Sequence, residues 1–197
     1  NRAVDEICKS LLAIEPKVDF IRVGSELSCD EMYREYLIEN VLSDCSRRSE
    51  VYECITKCRL FVGTVASIAN KPELFNLKTF DVAIVDEATQ ILEPQLLGIL
   101  CAKNRKGENA LGKFILIGDH KQLPAVVLQN EEQSRVVDEQ LNSIGLTNLR
   151  DSLFERLYRL HINKLSGDNG SWAIDMLCKQ GRMNPEVAFF PNHAFYS

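Results

Sequence analysis

Apolar positions along this chain follow two rhythms, a helical spacing near the start and short unbroken runs through the middle. Ala3, Val4, Ile7, Cys8, Leu11 and Leu12 fall on one face of a helix, with Asn1 placed as its N-cap. Residues 19–24 predict a short strand closed by Gly24, and residues 26–57 are polar and charge-rich with helical periodicity, as expected of peripheral inserted helices. From Arg59 the texture changes. Residues 60–65, 80–85 and 113–117 are compact apolar runs of the kind that form buried parallel strands. Between the last two, residues 88–101 have the spacing of a crossover helix, followed by a Lys, Arg, Gly and Asn loop over 103–112. Strand, helix, loop and strand make the repeating unit of a doubly wound sheet. Residues 131–144 and 149–160 predict two further helices and residues 166–171 a flexible turn.

Composition narrows the class. With 45% hydrophobic and 26% charged residues over 197, the chain has the balance of a globular domain, which excludes a disordered tail or a membrane span. Its 23 basic against 28 acidic residues give a net charge of -5, so nucleic-acid binding has to be local. Seven cysteines, an odd number without dense disulfide spacing, point to reduced thiols in the cytoplasm or, in a eukaryote, the nucleus. Cys54 and Cys58 read as packed or helix-face thiols, since His120, His161 and His193 are scattered away from them. The chain lacks an apolar run of roughly 20 residues and the layout of a signal peptide, so no membrane partner is expected.

In an open parallel sheet, ligands bind at the carboxyl ends of the strands. Two of the apolar runs end there in polar chemistry. Residues 82–85 lead into Asp86 and Glu87, and residues 114–117 lead into Gly118, Asp119, His120, Lys121 and Gln122. One carboxylate at a strand end can hold Mg²⁺ through water while its neighbour orients or deprotonates an attacking water. Gly118 would admit a ligand close to the backbone, with Asp119 and Gln122 offering polar contacts near a terminal phosphate. The spacing alone is also open to solvated strand-end and helix-cap acids. It is also open to a receiver-like phospho-acceptor at Asp86, although residues 23–24 provide no second acidic pair.

The residues carry a more specific resemblance. Asp86-Glu87-Ala88-Thr89-Gln90 is similar to the Walker B box D-E-A-x-Q of superfamily 1 helicases, in the branch of the nonsense-mediated-decay helicase and the replication flap-processing helicase-nuclease. Gly118 through Pro124 resembles that branch's motif G-D-x-x-Q-L-P, and Gln180 through Glu186 resembles Q-Y-R-M-H-P-E. Residues 1–5 resemble the end of motif Ia and residues 61–64 motif Ic. The resemblance implies a three-layer α/β RecA-like (P-loop NTPase) lobe with a parallel sheet, incomplete at its N-terminus. Residues 1–24 and 59–197 would belong to the lobe and 25–58 to a helical insertion. It implies ATP and Mg²⁺ as cofactors, and as partners single-stranded nucleic acid, DNA or RNA, and a second RecA-like lobe.

By the same resemblance, Asp86 would coordinate Mg²⁺, Glu87 would act as base for the attacking water and Gln122 would sense the γ-phosphate. Gln90, Asp119 and Gln180 would make nucleotide contacts, and Arg182 would serve as an arginine finger. Thr64 and Asn1 would touch the nucleic-acid backbone. Two departures stand out. Gly181 replaces a tyrosine that can stack on the base, and the phosphate-cradling motif G-x-x-x-x-G-K-[ST] is absent, since Gly112-Lys113 opens a strand. The chain is therefore expected to begin just after that loop and to be inactive alone. A helicase-fold scaffold without ATPase is the alternative. Trp172, Phe189, Phe190, Phe195 and Tyr196 are expected to pack in the core, His120 to be solvated, and Lys103, Arg105 and Lys106 to form a solvated basic loop.

Overall fold

The computed structural model describes residues 1–164, 173–179 and 181–196. They form two compact units, Asn1–Val85 with Glu93–Ile115, and Asp86–Leu92 with Leu116–Ser197. The expected turn at 166–171, Trp172 and Gln180 lie outside the described residues.

The first unit is built on a parallel pair of strands, β1 (Phe20–Val23) and β2 (Leu60–Gly63), in register from Phe20 opposite Leu60 to Val23 opposite Gly63. Strand alternation sends Phe20 and Arg22 to one face and Ile21 and Val23 to the other. Helix α1 (Arg2–Ile14) covers the first face, burying Val4 and Cys8 against Phe20, Cys29, Tyr33 and Leu37, with Tyr36 stacked on Phe20 at 4.3 Å between ring centroids. Asn1 stands at the N-cap, but its side chain forms no cap bond, and its backbone carbonyl accepts from the Asp5 N–H at 3.1 Å. Pro16 then bars the α conformation at Glu15, which is extended and ends the helix.

Arg22 is fully buried on the α1 face. Its Nη2 donates to Asp5 Oδ1 at 2.8 Å and to the Ser28 carbonyl at 3.3 Å, tying α1 to the strand. On the opposite face Ile21 and Val23 pack with Ile38, Ile55, Cys58 and Leu74. The residues between the strands thus supply both layers. They comprise two 3₁₀ segments (Glu26–Ser28 and Glu31–Tyr36), α2 (Ile38–Val41) and α3 (Arg48–Lys57). A Cβ on Gly63 would sit 2.7 Å from the Val23 carbonyl oxygen, so the pairing at that register needs glycine.

After β2 come α4 (Val65–Ala69), α5 (Pro72–Leu77), strand β3 (Phe80–Val85), a 3₁₀ turn (Ala88–Gln90), α6 (Glu93–Leu100) and strand β4 (Leu111–Leu116). β3 and β4 pair with each other, and the Phe80 N–H donates to the Ala110 carbonyl at 2.7 Å where the pair begins. Phe80 meets Phe61 and Phe75 edge-on, and Phe75, Ile99 and Ala110 form a small core below. The result is an α/β architecture with parallel strand pairing, a partial RecA-like domain.

Three expectations are corrected here. The helix over 88–101 is split by residues 91–92, because Pro94 favours the first turn of a helix and α6 starts at Glu93. The strands 80–85 and 113–117 are only partly buried: Ile84 is 66% and Ile115 46% exposed. Among the described residues β3 and β4 pair only with one another, so their apolar faces have few neighbours. The second strand also runs Leu111–Leu116, leaving Ile117 outside it.

The second unit carries α7 (Glu131–Ser134), α8 (Glu139–Ser143), α9 (Leu153–Lys164) and α10 (Pro185–Phe195). The single helix expected over 131–144 breaks at 135–138 because the chain there turns extended and pairs with 147–149. The Val136 N–H donates to Thr147, the Leu149 N–H donates to Ser134, and Arg135 bridges Asn148. α9 starts later than expected, at a reciprocal cap in which buried Ser152 accepts the Glu155 N–H at 3.1 Å while the Glu155 carboxylate accepts the Ser152 N–H at 3.2 Å.

The aromatic residues expected in the core are exposed. α10 buries only Ala188, and Phe189, Phe190, Phe195 and Tyr196 face solvent, since its apolar residues lie all around the helix and one contact stripe cannot cover them.

Candidate functional site

β3 delivers Asp86 at its carboxyl end, and the next residue turns sharply. Glu87 has φ 52 and ψ 39, the one described non-glycine residue at positive φ. A left-handed glutamate is strained relative to ordinary helix or strand backbone and persists only where its surroundings fix it. Two contacts do so: the Glu87 N–H donates to Asp86 Oδ1 at 3.0 Å, and the Ala88 N–H donates to the Ile117 carbonyl at 2.8 Å. The turn leaves both carboxylates exposed and brings Gln90 Nε2 to 3.3 Å from Glu87 Oε2.

The second strand end lies against this turn. A Cβ on Gly118 would come within 3.0 Å of Thr89 Cγ2 and 3.1 Å of the Thr89 nitrogen, so the bare glycine backbone lets the two loops touch. The close approach expected between Gly118 and a ligand is thus made to the neighbouring turn. Thr89, buried at the contact, was not singled out from the sequence.

Asp119 organises the loop that follows. Its Oδ1 accepts the Lys121 N–H at 3.0 Å, and its Oδ2 accepts Gln122 Nε2 at 3.0 Å and the phenol of Tyr196. Burial pushes the Asp119 carboxyl up, but these hydrogen bonds outweigh it and hold the group below the ordinary carboxylate value. The same bond to Asp119, with burial and its charge, raises the Tyr196 phenol. Gln90, Lys121, Gln122, Leu123 and Pro124 line an open cleft of about 380 Å³.

Asp86, Glu87, Gln90, Asp119 and Gln122 therefore come together at adjoining strand ends. Arg182 is exposed in the bend ahead of Asn184, whose side chain accepts the Glu186 N–H at 2.9 Å and caps α10. Among the described residues no hydrogen bond or ion pair joins Arg182 to that group. Thr64 and Asn1 belong to the other unit. Thr64 Oγ1 accepts the Ser67 N–H at 3.1 Å and caps α4, and Asn1 is exposed. His120, expected in solvent, is exposed but has its ring 4.3 Å from that of Tyr158 on α9. Tyr196 and Lys121 enter the site without having been assigned to it from the sequence. Lys121 stands inside the Gly118–Pro124 motif, and Tyr196 follows ten residues after the Gln180–Glu186 motif.

A solvent-facing acid pair beside an amide-lined cleft suits a metal-bound phosphate more than an apolar ligand. Among the described residues no three His, Cys, Asp or Glu side chains cluster as a metal cage. Mg²⁺ usually binds through one or two carboxylates, water and the substrate's own phosphates. The donor set here, Asp86 with Glu87 beside it, matches that requirement.

Comparison with known proteins agrees with the geometry. Residues 43–130 match the family described as AAA domain. The DNA replication ATP-dependent helicase/nuclease DNA2 of Bos taurus is 31% identical over 197 residues, all of this chain and 16% of that protein. The DNA polymerase alpha-associated DNA helicase A of Saccharomyces cerevisiae is 30% identical over 122 residues, 62% of this chain and 15% of its own. An uncharacterized ATP-dependent helicase of Methanocaldococcus jannaschii is 35% identical over 118 residues, 60% of this chain and 13% of its own. The chain thus spans about a sixth of the length of the curated relatives it matches. With two of the ordered motifs set at adjoining strand ends of an α/β fold, the chain belongs to the superfamily 1 helicases, in the branch of the replication helicase-nuclease, and covers part of the motor lobe.

Proposed function

We propose that this chain supplies the Walker B and γ-phosphate-sensing part of an ATP-driven motor that moves along single-stranded nucleic acid. The observation that carries the reading is the turn after β3, where Glu87 is held left-handed between Asp86 and Gln90, and Gln90 lines one cleft with Gln122. In this reading Asp86 would hold Mg²⁺, whose charge would offset that of the phosphates, and Glu87 would orient and deprotonate the attacking water. Gln122 contacts the γ-phosphate, with Gln90, Asp119 and Gln180 supporting the nucleotide. Arg182 offers its planar fork to the charge that develops on the phosphoryl group. Thr64 and Asn1 contact the nucleic-acid backbone, the strand being DNA or RNA.

A second RecA-like lobe is the proposed partner in the working protein. The division into residues 1–24, 25–58 and 59–197, with the middle segment as an inserted helical part, belongs to the same proposal, as does a cytoplasmic or, in a eukaryote, nuclear location. Among the described residues no helix is long and apolar enough to cross a membrane. Because the 197 residues hold no G-x-x-x-x-G-K-[ST], the isolated chain binds ATP weakly and does not turn it over.

The test is Mg²⁺-dependent ATPase of the full-length protein with and without a single strand, for wild type, Glu87→Gln and Arg182→Ala. Strand-stimulated turnover that both substitutions abolish is the expected result. A folded wild type without turnover would make the lobe a scaffold.

A further inference from the structure

We propose that Tyr196 is a positioning residue for the phosphate-sensing loop, sharing Asp119 Oδ2 with Gln122 and so setting how firmly that carboxylate holds the Gln122 amide. The inference rests on the functional reading above and deepens it.

The contact is local in space and remote in sequence. Tyr196 lies 77 positions beyond Asp119, immediately after α10, and its phenol donates to the oxygen that also accepts Gln122 Nε2 at 3.0 Å. Lys121 holds the same end of α10. Its Nζ donates to the Phe195 carbonyl and stands 5.2 Å from the centroid of the Tyr196 ring. A helix's last carbonyls lack backbone partners and carry partial negative charge, so a lysine there is favourably placed, and its approach to the ring adds a cation–π attraction. Two residues flanking His120 therefore clasp one tyrosine, one through its hydroxyl and one through its ring and the preceding carbonyl.

A hydrogen bond to an ionised carboxylate is stronger than a neutral one. With both donors in place, the demand on Asp119 Oδ2 is divided. When Gln122 turns to a phosphate, the phenol keeps that oxygen paired, and the amide leaves without stranding a charge. Without the hydroxyl, Gln122 becomes the remaining side-chain donor to Oδ2 and is drawn back towards Asp119. The loss would fall on the step in which Gln122 meets the transferring phosphoryl group, more than on the first binding of ATP.

The experiment is steady-state ATPase of the full-length protein for wild type, Tyr196→Phe, Gln122→Ala and the double variant, with Glu87→Gln alongside. Phenylalanine keeps the ring over Lys121 and removes only the hydroxyl. The expected result is a kcat lowered about tenfold with KM for ATP within about twofold, the scale of one charge-assisted hydrogen bond. Tyr196→Phe should have no further effect once Gln122 is alanine. Unchanged kcat in Tyr196→Phe overturns the proposal, and so does an equal loss in the Gln122→Ala background, which would mark a general structural role. If turnover survives Glu87→Gln, the reading of the whole site falls and this proposal with it. If Glu87→Gln is dead and Tyr196→Phe is fully active, the Tyr196 proposal alone fails.

Discussion

Replacing Asp5 with alanine should expose how strongly one ion pair holds α1 to the first sheet. The Arg22 side chain is 1% exposed and that of Asp5 18%, with Nη2 and Oδ1 2.8 Å apart. Nε and Nη1 of Arg22 are already buried without partners, so the guanidinium has little else to rely on than Asp5 and the Ser28 carbonyl at 3.3 Å. Removing one member of a buried pair leaves an uncompensated charge and costs about 3–5 kcal/mol. Unit charges some 4 Å apart at an effective dielectric of about 20 give roughly 4 kcal/mol, on the same scale. Because Asp5 is partly open to water, the lower end applies, and a loss of about 3 kcal/mol is expected, a large share of the roughly 5–15 kcal/mol that holds a domain together.

The assay is built into the fold. Cys8 and Cys29 are buried in the cluster beneath α1, so their reaction with a thiol reagent reports its opening. Asp5→Ala should speed labelling of both by roughly 150-fold, the equivalent of about 3 kcal/mol, and lower the urea midpoint in parallel. Labelling within about threefold of wild type, below about 0.7 kcal/mol, would refute the reasoning and mean that Arg22 is satisfied another way. The double variant Asp5→Leu with Arg22→Met removes both charges and should recover most of the loss.

Other outcomes follow from single groups. Burial raises the Cys8 thiol from 9.0 to about 11, and raises Cys29 and Cys58 as well. The unfolded chain then loses these protons first, so stability should be intact below pH 9 and fall as pH rises from 9 towards 11, read as a falling urea midpoint in reducing buffer. Gly63→Ala sets a Cβ 2.7 Å from the Val23 carbonyl oxygen, so it should force β1 and β2 apart and cost about 1–3 kcal/mol, with faster labelling of Cys58. Ser152→Ala removes the buried cap of α9 and should cost about 1 kcal/mol in thermal unfolding while leaving helix content nearly unchanged.

Much of the candidate site was legible because its chemistry is contiguous. Asp86 to Gln90 and Gly118 to Gln122 each follow an apolar run, and a strand end is where such residues reach a ligand. The Tyr196 contact was not legible, since a carboxylate and a phenol 77 residues apart carry no mutual spacing signal. Arg22 was equally hidden. In sequence it is one charged residue inside a short strand, and only the packing of α1 over that face decides that it is buried and that Asp5 must answer it.

By itself the sequence determined the α/β class, the position of α1 and of the four strands to within a few residues, and the acid and amide motifs that follow two of those strands. Periodicity and strand-end chemistry are properties of neighbouring residues, readable without a partner. Tertiary structure decided the rest: the breaks at 91–92 and 135–138, the left-handed Glu87 and the seating of Gly118 against Thr89. It also decided the exposure of β3, β4 and α10. These depend on which segment lies alongside which, because burial and backbone hydrogen bonding are settled by contacts between residues far apart in the chain.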